Sequence, residues 1–146
     1  MDTRIIMWVH PLLQVVATVV GLVAMYWGIR RFQMTHLHHK IVFPWKRHVV
    51  WGTLALVLWL LGPVTGLYFA HIGWGSMFVT DIHYVLAFAL VPLCLLGYGT
   101  GYVLDRHKKR RTVLNVVHGV NNLLLCIVVC VQVVTGVWVI RTFMTY

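Results

Sequence analysis

Four long apolar runs decide what this chain can fold into. They predict helices over about residues 8–30, 48–70, 79–104 and 112–141, and each exceeds the ~20 residues that a helix needs to cross a ~30 Å hydrocarbon layer. The chain has only 146 residues, 60% of them hydrophobic and 10% charged. Soluble domains carry about a quarter charged residues, so the solvent expected for this surface is lipid. Four crossings leave almost nothing for a soluble domain. The expected fold is all-α: a single transmembrane domain over residues 1–146, built as an up-down-up-down four-helix bundle with three connections.

A net charge of +9 raises nucleic acid as a partner, but the placement of the charge argues against it. Ten of the twelve Lys and Arg fall in two connections: Arg30, Arg31, Lys40, Lys46 and Arg47 between the first two runs, and Arg106, Lys108, Lys109, Arg110 and Arg111 between the last two. Basic connections stay on the cytoplasmic side, so both termini are expected outside. The same clusters also suit anionic lipid headgroups. The N-terminus lacks a basic n-region and a small-residue cleavage site, so the first run is expected to stay in the mature protein. Cys94, Cys126 and Cys130 lie within the runs and read as packing residues. No CxxCH occurs, which excludes covalent c-type haem attachment.

The chemistry is carried by a repeat. His10, His48, His83 and His118 each stand near the start of a run, and eighteen residues after each comes a glycine: Gly28, Gly66, Gly101 and Gly136. Eighteen residues are five helical turns, so each glycine shares its histidine's face. Four such coincidences at one offset arise by chance on the order of once in a thousand. Close helix packing explains glycines in membrane helices, but not their register with histidines.

In the expected bundle, runs one and three start outside and runs two and four inside. His10 and His83 then share the outer depth, His48 and His118 the inner depth, and each pair sits on diagonal helices. Two imidazoles facing across a bundle core suit the two axial positions of a haem iron. Each glycine falls near the depth of the other pair, where a bare backbone lets a flat macrocycle approach. The two centres are at most ~27 Å apart along the membrane normal. Zinc or copper would gather its ligands at one point with carboxylate or thiolate help, which the runs do not supply.

Other polar residues have weaker readings. Gln14, Asn122 and Gln132 lie on histidine faces, where they can bond imidazoles or propionates or else bridge helices. Lys46, Arg47, Arg110 and Arg111 are placed to pair with propionates of an inner haem, and Arg4 or Arg141 with those of an outer one. His71 lies about 140° off the face of His48; on the outer side it is placed to compete with His83 or to contact a haem propionate or a quinone. His107 and the His36, His38 and His39 cluster read as solvated, although the cluster also resembles a surface metal site. Pro63 and Pro92 fall inside the second and third runs, with a kink expected at Pro63. Trp74 is expected as an interfacial anchor.

With these four histidines, the alternating helices and the stretches WVHPLLQ, FPWKRHVVWG and VVHGVNNLLL…QVVTG, the chain resembles the cytochrome b561 superfamily in a short four-helix bacterial form. The resemblance covers essentially the whole chain. It implies two non-covalent, bis-histidine b-type haems, with His10 and His83 as one ligand pair and His48 and His118 as the other. It also implies electron transport across a bacterial inner membrane, between a quinone pool or redox protein and an acceptor on the other face. Well-known members have six helices and use ascorbate; the flanking helices are absent here. Small size points to a homodimer or to a module of a larger complex. Readings from other classes are a quinol-oxidising anchor subunit of a respiratory complex, a haem- or metal-handling assembly factor, and a structural subunit without a cofactor.

Overall fold

The structure, a computed structural model, describes residues 3–107, 109 and 112–144. It is all-helical, with no strand among the described residues. A short α1 (Thr3–Met7) leads into α2 (Val9–His36), followed by α3 (Trp45–Trp74), α4 (Ile82–Arg106) and α5 (Val113–Val139), the last continued by a π-helical turn, Ile140–Met144. The break at Trp8 between α1 and α2 has a local cause. Pro11 has no N–H to offer the Met7 carbonyl, and its ring crowds that carbonyl; regular bonding resumes with Leu12 N–H donating to the Trp8 carbonyl at 3.1 Å.

The helices overrun the apolar runs at both ends of α3 and at the C-terminal ends of α2 and α4. α2 continues to His36 and α3 begins at Trp45, so the first connection is residues 37–44 and not 31–47. Arg30, Arg31 and Gln33 are good helix formers, and they extend the helix past the hydrocarbon without interrupting it. The third helix starts at Ile82 instead of residue 79, because Asp81 has φ +45° and ψ −126°, a backbone that no helix accepts. α3 ends where Gly75 turns left-handed at φ +73°, its N–H bonding the His71 carbonyl at 2.9 Å.

α2 packs chiefly on α3, α4 on α5, and α3 on α4, with a thinner seam between α2 and α5. The order around the bundle is therefore α2–α3–α4–α5, with α2/α4 and α3/α5 as diagonals. Each span is long and apolar enough to cross a membrane, and large apolar side chains such as Leu12, Val64, Leu95 and Val134 cover its outside. The protein is a multi-pass membrane bundle. The end that carries both termini is termed outer, after the expected orientation.

The buried core is a plug at mid-depth, formed by Ala17, Val20, Ala55, Leu56, Trp59, Leu90, Cys94, Leu125 and Val129. Every one of these lies seven to eleven residues after the histidine of its own helix. The repeat is thus longer than histidine and glycine alone. Position +7 holds Ala17, Ala55, Leu90 and Leu125, and position +11 holds Gly21, Trp59, Cys94 and Val129. Sizes at +11 are complementary: the Trp59 ring lies over Gly21, with no space for a Cβ at that glycine. Helical spacing puts 0, +7, +11 and +18 on one inward stripe, so the plug separates an outer histidine layer from an inner one.

Candidate functional site

Each histidine layer is a facing pair on diagonal helices. The His10 and His83 rings, from α2 and α4, have centroids 6.4 Å apart at an interplanar angle of 89°. The His48 and His118 rings, from α3 and α5, are 6.2 Å apart at 81°. All four residues are half-buried, and no hydrogen bond joins the two rings of either pair among the described residues. A metal held in line between two imidazole nitrogens, at about 2 Å from each, puts ring centroids about 6 Å apart. Both pairs therefore have the spacing that one ion shared between two imidazoles requires. No group of three or more His, Cys, Asp or Glu converges among the described residues, so the clustered ligand set of a zinc or copper site is not formed there.

The hydrogen bonds determine which nitrogen carries the proton. His48 Nδ1 lies 3.0 Å from the Ala24 carbonyl, and a carbonyl only accepts, so Nδ1 carries the proton. His10 Nδ1 is 3.0 Å from Thr65 Oγ1, whose own hydroxyl donates back to the Leu61 carbonyl at 2.9 Å. His118 Nδ1 is 2.9 Å from Thr100 Oγ1, which donates to the Leu96 carbonyl at 2.7 Å. His83 Nδ1 is 2.8 Å from Thr135 Oγ1, which has the Gln132 carbonyl and Oε1 each at 3.1 Å. With each hydroxyl proton directed to its own helix, the imidazole Nδ1–H is the donor. Assigned from this network, all four rings keep Nε2 unprotonated, with its lone pair free to ligate a metal.

The glycines meet the rings themselves. A Cβ at Gly66 would sit 3.1 Å from His10 Cε1, at Gly101 3.2 Å from His118 Cε1, at Gly136 3.3 Å from His83 Cε1, and at Gly28 3.5 Å from His48 Cε1. The depth register is as expected, each glycine lying level with the other pair. The protein neighbour that each bare backbone faces is the imidazole of the adjacent helix, which the helical spacing did not name. At Gly66, Gly101 and Gly136 the neighbouring helix lies too close for ring and Cβ together without a small shift, whereas at Gly28 the contact would be ordinary. Within each hairpin the arrangement is reciprocal, since each helix supplies one ring and one glycine.

The remaining candidates divide. Gln14 bridges helices, its Nε2 donating to the Leu58 carbonyl at 3.4 Å while its amide lies over Gly62. Asn122 donates to the carbonyl of His118 at 2.7 Å, on its own helix; the same nitrogen lies 3.3 Å from His118 Nδ1, a longer contact than the 2.9 Å to Thr100 Oγ1 that assigns the proton there, and Asn122 Oδ1 would stand 2.9 Å from a Cβ at Gly97. Lys46 and Arg47 are brought to the depth of His48 but are exposed, and Lys46 Nζ sits 5.8 Å from the centre of the Trp45 ring. Arg110 and Arg111 lie outside the described residues. His71 is exposed and does not line the cavity at the outer pair, and His36, His38, His39 and His107 are exposed too. That cavity is reached by all four long helices, through His10, Gln14, Gly62, His83, Tyr84 and Gly136 among others.

Sequence reasoning missed two sets of residues. The threonines are marked by a signal: Thr-Gly occurs at 65–66, 100–101 and 135–136, always seventeen and eighteen residues after a histidine. α2 has Trp27 in that place, turned to Trp51 at 6.2 Å, and there the Ala24 carbonyl serves instead. Phe43 left no signal. Its ring centre lies 5.5 Å from that of His48, tilted at 55°, and the Arg31 guanidinium carbon lies 5.5 Å from its ring centre, an arrangement set by the connection before α3. Comparison with protein families, curated proteins and solved structures finds no match.

Proposed function

We propose that this membrane bundle is a b-type cytochrome that carries electrons between its two faces. His10 and His83 would hold one haem and His48 and His118 another. The observation that carries the reading is the state of the rings: two diagonal pairs at metal-spanning separation, each ring anchored through Nδ1 and presenting a bare Nε2. A haem ligated on both sides supplies one-electron chemistry at iron with no open coordination position. The chain's own residues do the rest. The threonines and the Ala24 carbonyl fix ring tautomer and orientation. Gly66, Gly101 and Gly136 admit the rings between adjacent helices, and Gly28 faces the fourth ring at ordinary contact distance. The plug around Trp59 and Leu125 keeps water out of the space between the two layers.

Two layers at opposite ends of five-turn segments lie at most ~27 Å apart, which suits transfer across a bilayer. The resemblance to four-helix b561-like proteins points to a quinone pool or a redox protein as exchange partner, in a bacterial inner membrane. Lys46 and Arg47 stand at the level where anionic propionates of the inner haem would need cations. The test is a visible spectrum of the purified protein with haem quantification. The reading expects a reducible b-type α-band and two haems per chain; a colourless, folded protein overturns it.

A further inference from the structure

We propose that Thr65, Thr100 and Thr135 are positioning residues that set the donor strength of three imidazoles, and that His48, anchored to a peptide carbonyl, makes the inner centre electronically unlike the outer one. The proposal rests on the haem reading above. Its own basis is the uneven distribution of acceptors. The outer pair is held by two hydroxyls, at 3.0 Å on His10 and 2.8 Å on His83. The inner pair is held by one hydroxyl, at 2.9 Å on His118, and one carbonyl, at 3.0 Å on His48; His118 Nδ1 also has the Asn122 amide nitrogen at 3.3 Å, a longer contact than the hydroxyl.

An acceptor on Nδ1–H draws the proton outward and makes Nε2 a more basic ligand. Stronger donation favours the oxidised metal, so loss of an acceptor raises the reduction potential of that centre. Each threonine hydroxyl is itself polarised by donating to its own helix, at 2.9 Å in Thr65 and 2.7 Å in Thr100, which strengthens it as an acceptor. No side-chain substitution removes the Ala24 carbonyl. Three of the four anchors are therefore adjustable by mutation, two at the outer centre and one at the inner.

Redox titration of the holoprotein in nanodiscs tests this, with the inner component identified as the one surviving in His10→Ala/His83→Ala. Valine matches threonine in shape and lacks the hydroxyl. Thr65→Val and Thr135→Val are expected to move the outer component to higher potential, additively in the double variant. Thr100→Val is expected to move the inner component alone. Serine at the same positions restores the hydroxyl and should restore the wild-type potential. Valine variants that keep both haems at unmoved potentials overturn the inference and leave the haem reading standing, whereas a haem-free wild type overturns both. Should valine cost haem occupancy, a serine variant that fails to regain the wild-type potential overturns it. Nitrogen NMR of the haem-free protein gives a second readout. The proposal expects Nδ1–H and bare Nε2 on all four rings, and an Nε2–H at His48 contradicts it.

Discussion

Gly66 lies so close beneath the imidazole of His10 that a methyl group there would stand 3.1 Å from Cε1. One residue earlier, Thr65 holds the same ring by its Nδ1. A single Thr-Gly step of α3 therefore both makes space for a ring of α2 and fixes its rotation. The same step recurs in α4 and α5.

Substitution at the four glycines should be graded by contact. Alanine at Gly66 puts a Cβ inside ordinary van der Waals distance of His10, whereas at Gly28 the corresponding 3.5 Å to His48 is normal contact. Gly28→Ala should leave both haems in place, and Gly66→Ala should perturb the outer one. Leucine at Gly66 overpacks the ring by about 1–3 kcal/mol, or about 5- to 150-fold in retention of the outer haem. Haem titration with spectral resolution of the two components measures it.

Gly21 has a different role. It accommodates the ring of Trp59, which is 5% exposed at the centre of the plug. Gly21→Ala should cost about 1–3 kcal/mol of bundle stability by overpacking, read as a lower Tm in detergent. Combined with Trp59→Leu, most of that loss should be recovered, because the two sites share one volume.

Asn121 is buried and donates to the Leu93 carbonyl at 3.0 Å, joining α5 to α4, but its Oδ1 has no partner among the described residues. Interhelical hydrogen bonds in membranes contribute about 0.6 kcal/mol on average, and an unpartnered buried oxygen opposes that gain. Asn121→Leu should therefore change stability by less than about 1.5 kcal/mol. Thermal unfolding of the variant in detergent checks this.

Orientation is a separate prediction. The clustering of cations in two connections predicts both termini outside the cytoplasm. A reporter active only outside the cytoplasm should work when fused after Tyr146 and fail when inserted beside Lys40. The reverse pattern would invert the assignment of outer and inner layers without altering the pairing.

The four helices were legible because apolar length is a one-dimensional property that a membrane enforces directly. The diagonal arrangement of His10 with His83 and His48 with His118 was legible for a related reason: alternating direction and short connections leave few ways to close a four-helix bundle. Helix ends were not, since Arg30 and Arg31 continue a helix as readily as they end a hydrophobic run. Thr65, Thr100 and Thr135 escaped because threonine is ordinary in membrane helices. Only their shared offset from histidine sets them apart. The partner of each glycine also depended on which helices are adjacent, information absent from spacing alone. Phe43 over His48 comes from a turn conformation that no periodicity encodes.

The most direct test of the central claim is haem content in paired histidine variants. Diagonal pairing makes an unusual forecast. Removing both ligands of one centre, as in His10→Ala/His83→Ala, should leave one haem per chain. Removing one ligand from each centre, as in His10→Ala/His48→Ala, should leave none, against two in the wild type. Equal haem content in the diagonal and adjacent double variants, with both still folded, would contradict the account.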